Sequence, residues 1–337
     1  MDRESNRTFI RQIESLVKPA DVTAISFLGD FNRILPLKAQ RKIMKKGNAG
    51  IPYMGFIVAP YCFFASYEIR NAPLAEALLP EGYELLDTAL FDGEVKRPTM
   101  IIGAFSARTS AFAGTRMEAY VIARRKTDGH AAWIIVDYVT DTNSYDPAHG
   151  FTGYNGDPAL ITTTPYGELL VDMVHKKSKK RFSLQADLQA GTNRALDRTL
   201  WVDGNMAVDY GGDLRDPSAK AFSLIFDPAL MREAMRIPPE SVTTVENSFF
   251  TELIDGNTPL SFACFPFGQH YVIKQDLAPG EIRNEADLEA KAAEFAAATG
   301  FKRMRGDDLK KPILIGMIAS AVVTYAIIVL LLIKVLS

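Results

Sequence analysis

Residues 100–140 read MIIGAFSARTSAFAGTRMEAYVIARRKTDGHAAWIIVDYVT, and this stretch decides the fold class. Met100–Phe105, Met117–Ala123 and Trp133–Thr140 are runs of β-branched, aromatic and small apolar residues, a composition that packs on a pleated surface. Asp128-Gly129 is a turn signal, and it makes His130 a turn residue. Each apolar run has strand length, so the stretch predicts three successive strands.

The pattern extends in both directions. Upstream, Phe56–Tyr67 is an aromatic and β-branched run. Downstream, Phe182, Leu184, Ala186 and Leu188 alternate with polar residues, as in a strand with one wet face. Two Asp-Gly-Asn triplets predict hairpins, because Asp-Gly tolerates the positive φ of a tight turn. Asp203-Gly204-Asn205 would join Trp201-Val202 to Met206–Val208; Asp255-Gly256-Asn257 would join a β run over Val242–Ile254 to Leu260–Phe267. Ten or more short strands with few helices predict one large antiparallel barrel or sandwich, mainly β within an α+β chain.

Helices are expected at the periphery. Phe9, Ile10, Ile13, Leu16 and Val17 share one helical face, and Pro19 closes that segment. The basic stretch Arg41–Lys46 ends at Gly47 and, with Lys38, forms a positive patch that reads as a solvated face or a phosphate or lipid contact. Short helices are predicted over Leu74–Leu79 and Pro228–Arg236. A longer one spans Glu285–Thr299, with Asn284 as N-cap and Gly300 at its end. The expected organisation is a helical segment (1–50), a β domain (51–283), a packing helix (284–300), a basic linker (301–312) and a membrane span (313–333).

Composition bounds the function. The 337 residues are 47% hydrophobic and 23% charged, as in a globular chain. A net charge of -2 lacks the basic excess of a nucleic-acid binder, so no nucleic acid is expected as a partner. Two cysteines, Cys62 and Cys264, cannot build a disulfide framework or a zinc site; both are expected as buried small hydrophobes in a reducing compartment.

From Ile313 to Ile333 no residue is charged, and at about 1.5 Å per residue the run reaches the roughly 30 Å of a bilayer core. The lipid bilayer is therefore an expected partner through Ile313–Ile333. Charged residues crowd the first twenty positions, so no secretory signal is expected. A lone span at the end of the sequence predicts a single-pass tail anchor. Lys302, Arg303, Arg305, Lys310 and Lys311 precede it, which places the large N-terminal part on the cytoplasmic side.

Familiar catalytic motifs are missing: no phosphate loop, His-Glu-x-x-His, nucleophile elbow or Cys-x-x-Cys occurs. His130, His149, His175 and His270 have no metal-ligand spacing. Asp137, Asp141 and Asp146 lack the regularity of a calcium loop and read as turn and cap residues, so no metal and no cofactor are expected. On a strand, Arg116, Glu118 and Tyr120 share one face, offering an anion-binding guanidinium and a general base if that face lines a cavity, or an ordinary ion pair if it meets solvent.

One resemblance adds to this reading. Leu74-Ala75-Glu76-Ala77-Leu78-Leu79-Pro80-Glu81-Gly82 resembles the short helix and turn that open the acetoacetate decarboxylase family. Ala107-Arg108-Thr109 to Gly114-Thr115-Arg116-Met117-Glu118 is similar to that family's loop and aromatic-x-Glu strand. Val136-Asp137 through Gly150-Phe151 and Gly153-Tyr154 resembles its acidic loop and the segment bearing the reactive lysine. The resemblance covers about 55–280 and implies a large antiparallel β-barrel with a central cavity, Glu118 as the acidic cavity residue, and a homo-oligomer.

It fails where the family's Schiff-base lysine should stand, because Tyr154-Asn155-Gly156-Asp157 contains none. The nearest lysines, Lys126 and the run Lys176, Lys177, Lys179 and Lys180, read as turn and hairpin residues. Glu118 is thus the candidate catalytic residue, with Arg108, Arg116, Tyr120 and Tyr154 as candidate ligand contacts. The loop from Asp146 to Pro158 is a candidate lid. Two functions stay open. One is a membrane-tethered, decarboxylase-like barrel that binds a small apolar or carboxylate-bearing ligand; it would convert that ligand, if at all, by lyase- or hydrolase-like chemistry without a Schiff base. The other is a non-catalytic scaffold or assembly subunit on the cytoplasmic membrane face.

Overall fold

The computed structural model describes residues 1–47, 49–146, 150–209 and 220–336. In chain order the elements are α1 (Arg3–Leu16), α2 (Pro19–Ile34), α3 (Leu37–Gly47), β1 (Tyr53–Val58), β2 (Cys62–Glu68), α4 (Ala72–Glu76), β3 (Tyr83–Leu85), β4 (Asp87–Thr88), β5 (Arg97–Thr109), β6 (Ala113–Arg125) and β7 (Ala131–Thr140). Then follow β8 (Ser144–Asp146), β9 (Gly150–Thr152), β10 (Leu160–Thr163), β11 (Glu168–Val174), β12 (Arg181–Asp187), β13 (Thr192–Ala195), β14 (Ala207–Asp209) and β15 (Lys220–Phe222). The chain ends with β16 (Glu233–Ile237), β17 (Val242–Asn247), β18 (Ser261–Phe265), β19 (Gln269–Lys274), α5 (Glu285–Ala297) and α6 (Gly306–Leu336).

The three runs in residues 100–140 form β5, β6 and β7, an antiparallel set with Met100 opposite Val121 and Glu118 opposite Tyr138. They centre a 13-stranded sheet of order β13-β16-β18-β2-β5-β6-β7-β14-β15, with β1, β3, β4 and β19 alongside. The sheet is large, mainly antiparallel and barrel-like: β1 pairs with both β5 and β19, and Ile225, just past β15, bridges to Val272 of β19, although no continuous ladder among the described residues closes the ring. One pairing is parallel, β14 on β7. A second sheet, β10-β11-β12-β17, covers one face.

The long strands are apolar on both sides because both faces are covered. Met100, Ile102, Met117, Ala119 and Val121 pack with Leu169, Val171, Phe182 and Leu184 of the second sheet. Ile101, Phe105, Tyr120, Ile122 and Ile135 share the other core with α1, α5 and the 196–202 and 225–231 segments.

Several expected elements differ, each for a local reason. Phe56–Tyr67 is two strands, broken where Pro60 precedes Tyr61 at φ 67. Pro19 does not merely end α1: it occupies the first turn of α2, where a missing N–H costs nothing. Asp203-Gly204-Asn205 is not a hairpin. Thr199–Asp203 winds into a π-helical turn that buries Leu200, Trp201 and Val202, and a Cβ on Gly204 would meet the Leu200 carbonyl oxygen at 2.6 Å. Asp255–Asn257 joins no hairpin either, because β17 pairs with β12 in the second sheet and β18 pairs with β2 in the first. The predicted helix at Pro228–Arg236 is a single 3-10 turn followed by β16, which pairs with β13 and β18. On α5 the cap is as expected, Asn284 Oδ1 accepting from Asp287 N at 3.0 Å.

Cys62 faces one core and Cys264 the other, since Phe265 rather than Cys264 lies opposite Cys62. Burial pushes the Cys62 thiol well up and that of Cys264 up to about 12. Both should therefore resist maleimide in the folded protein and react only on unfolding. Labelling at the rate of a model thiol in native buffer would contradict the packing.

The last helix, α6, contains the one stretch among the described residues long and apolar enough to cross a membrane, Gly306–Ile333, within which an 18-residue window has mean hydropathy 2.6. Its first turns pack on the helical segment. Leu309 and Ile313 are buried with Ile25, Leu35 and Ile43 of α2 and α3. Between Leu314 and Ile333 most of the large side chains are exposed, whereas Met317 packs against the same cluster.

Candidate ligand site on β6

Alternation along β6 puts Arg116, Glu118 and Tyr120 on one face, and that face is turned inward. Arg116 and Glu118 are each 8% exposed and Tyr120 7%. Arg116 Nε donates to Glu118 Oε1, and the Tyr120 hydroxyl donates to Oε2, so each carboxylate oxygen has a partner. From the next strand, Tyr138 places its ring under the guanidinium at 4.1 Å, a cation–π contact in a desolvated setting. The reading of this face as an ordinary solvent-exposed ion pair is thereby excluded.

Aromatic rings extend this face. Phe64 on β2 stands 6.5 Å from Tyr120, 5.9 Å from Trp133, 5.0 Å from Trp201 and 6.0 Å from Phe265, centroid to centroid. Gly103 makes room for it, since a Cβ there would lie 2.7 Å from the Phe64 ring. The indole nitrogens are satisfied, Trp133 by the Leu200 carbonyl at 3.2 Å and Trp201 by that of Leu90 at 2.9 Å. Trp201 and Phe265 are buried, whereas Phe64 and Trp133 stay partly exposed.

A bulge sits at this point of the β6–β7 ladder: Ala119 opposes Asp137 while Tyr120 opposes Ile135. The extra residue lets β7 present Ile135 and Tyr138 to the site and turns Asp137 to the opposite face, beside Ala119. Burial there raises the Asp137 carboxyl above the ordinary range, with the Tyr138 amide partly offsetting it. Asp141 ties two segments together, its Oδ1 accepting from Thr115 N of β6 at 2.8 Å and its Oδ2 from Ala159 N at 3.3 Å. His175 Nδ1 accepts from Ser178 N at 3.0 Å within the β11–β12 connection.

Two of the predicted ligand contacts do not join the cluster. Phe105 lies opposite Arg116, so Arg108, three residues on, projects from the other face of β5 and is exposed. The pleat separates them. Tyr154 is 45% exposed with Lys176 Nζ 4.0 Å above its ring, and its neighbour Gly156 bridges to His175 at the second sheet. Lys126, Lys177, Lys179 and Lys180 are exposed in the β6–β7 and β11–β12 connections. Of the candidate lid, residues 147–149, His149 among them, lie outside the described residues. No group of three or more His, Cys, Asp or Glu side chains among the described residues could hold a metal ion.

Sequence reasoning missed Phe64, Trp133, Trp201 and Tyr138. The signal for Tyr138 and Trp133 was present, since both fall inside a predicted strand beside the Glu118 strand; Trp201 was hidden by the misread turn.

No known family matches the sequence, and no curated protein does. Among solved structures, the chain is similar to the crystal structure of acetoacetate decarboxylase from Legionella pneumophila. The identity is 13%, with 66% of this chain and 84% of that chain covered at a TM-score of 0.42.

Proposed function

We propose that the chain is a membrane-tethered binding protein whose sheet domain holds a small ligand, apolar in body with a polar or carboxylate end, against Phe64 and Trp133 and beside the Arg116–Glu118–Tyr120 network. A single observation carries this reading: a buried arginine–glutamate–tyrosine network borders aromatic rings that packing leaves partly open. A buried ion pair is weak evidence for stability, because desolvation consumes most of its Coulombic gain, so its presence argues for a site. Apolar walls with few convergent polar groups are the common make-up of small-molecule sites. Tethering suits a ligand that partitions into lipid, since anchoring raises its effective concentration. The cations before α6 support a cytoplasmic orientation.

Any conversion of the ligand would proceed without a Schiff base, because the segment 154–157 has no lysine and the nearest lysines are in turns. Borohydride added with acetoacetate should leave the mass of the protein unchanged. A lysine adduct would overturn this point.

The full chain in detergent should show a co-purifying small molecule by native mass spectrometry. Octanoate or its methyl ester should raise the unfolding midpoint in proportion to the logarithm of concentration. Glu118→Gln should weaken that effect about tenfold by removing a charge-assisted partner of Arg116. A flat midpoint with both probes and no bound mass would sink the binding reading. The second reading, a scaffold on the membrane face, would then hold; Trp201 and Phe265, which fill much of the same face, favour it.

A further inference from the structure

Close approaches set the level of α2 and α3 against α6. A Cβ on Gly306 would meet Ala24 Cβ at 2.5 Å, and one on Gly316 would meet Leu35 Cδ1 at 2.9 Å. The two helices therefore run side by side in the same direction. The same Cβ on Gly316 would lie 3.6 Å from Ile43 Cδ1 of α3, and one on Gly47 would meet Leu309 Cδ2 at 2.8 Å. Gly316 lies three residues beyond Ile313, about 4.5 Å further along the axis. The Leu35-Pro36 corner between α2 and α3 thus stands deeper than the first residue of the charge-free run. A bilayer that takes in residues 313–333 must meet this corner as well.

The surface of the corner suits that environment. Phe27 is 62% exposed and Ile34 73%. Seven residues apart, they share one stripe of α2, with the Phe31 ring edge-on to Phe27 at 4.9 Å. Exposed apolar stripes of this kind are costly in water and mark contacts. Beside it, α3 has exposed Lys38, Lys42, Lys45 and Lys46 and no acidic residue, while Ile43 faces the bundle. Lys310 and Lys311 add two exposed cations on α6. The pair thus sets an exposed apolar stripe on α2 beside exposed lysines on α3, and clustered lysines attract anionic headgroups.

We propose that the α2–α3 pair is a second membrane contact, immersing its Leu35-Pro36 corner and the Phe27–Ile34 stripe at the headgroup–acyl boundary of the leaflet that α6 enters, with the lysines against anionic headgroups. The inference rests on α6 being a membrane span. It assigns the positive patch of α3 to lipid. It also gives the sheet domain a fixed attitude on the membrane, because helix and corner together define two contacts. The segment before the span is tied in as well, Arg303 Nε donating to Asp21 Oδ2 of α2 at 3.0 Å, with Met304 buried.

The test uses the full chain in phosphatidylcholine vesicles, with a nitroxide on Ile34→Cys, Tyr166→Cys or Ile328→Cys. The native cysteines are buried and stay unlabelled. Tyr166 is 79% exposed on the second sheet and reports water. The expected result is collision with a water-soluble nickel complex about tenfold lower at 34 and 328 than at 166, because lipid excludes the complex. Adding phosphatidylglycerol at low salt should lower it further at 34 alone, an effect reversed by salt. Equal collision at 34 and 166 with 328 shielded would leave the span intact and overturn the second contact. Collision at 328 as high as at 166 would overturn the span itself and, with it, this inference. No response to phosphatidylglycerol would remove the lysines from the proposal.

Discussion

Replacing Glu118 with alanine is expected to destabilise the sheet domain by about 3–5 kcal/mol, because it takes from the buried Arg116 guanidinium the carboxylate that accepts from its Nε. The Tyr120 hydroxyl loses its acceptor in the same step. Against a total stability on the order of 5–15 kcal/mol, such a loss moves the urea midpoint far. Glu118→Gln should cost less, since an amide oxygen can still accept from Arg116 Nε. Arg116→Met combined with Glu118→Leu should recover most of the loss, because apolar residues of similar volume remove both desolvation costs at once. A urea series with constant slope reads all three variants. If the alanine variant shifts stability by under about 1 kcal/mol, the pair is not desolvated as its burial states.

The second large effect is at Trp201. Truncation to alanine should cost about 3–5 kcal/mol. Its indole contacts Phe64 at 5.0 Å, Trp133 at 5.2 Å and Phe265 at 5.6 Å, and its N–H is held by the Leu90 carbonyl. The π-helical turn that carries it also pins the segment joining β13 to β14, so the loss should appear in thermal unfolding as a lower midpoint. Trp201→Phe keeps part of the ring contact and should cost less. A wild-type midpoint for Trp201→Ala would mean that the rings make no cooperative core. The proposed ligand site should respond differently to the two changes. Glu118 variants should affect binding even where folding is restored in the double variant, whereas Trp201→Phe should alter affinity only through the position of Phe64.

Much of this was legible because strand periodicity is local. The runs at 100–105, 117–123 and 133–140 carry their own hydropathy, and the shared face of Arg116, Glu118 and Tyr120 follows from period two alone. The cap at Asn284 and the apolar run of α6 are equally local. Where strands turn and which sheet they join is not. The same Asp-Gly-Asn triplet follows a helical turn at 203–205 and links two sheets at 255–257, because the flanking residues are recruited by different cores.

Residue types and their spacing therefore determined that the protein has a β-rich domain, an apolar C-terminal helix, and a polar triplet on one strand without a partner lysine. Tertiary structure alone decided that this triplet faces inward, that Arg108 and Tyr154 stand apart from it, and that Phe64 and Trp133 border it. It also decided that α2 and α3 pack alongside the start of the long apolar run of α6. The reason is the same in each case: side-chain direction along one strand is a property of the chain, but what lies opposite it is set by partners far away in sequence.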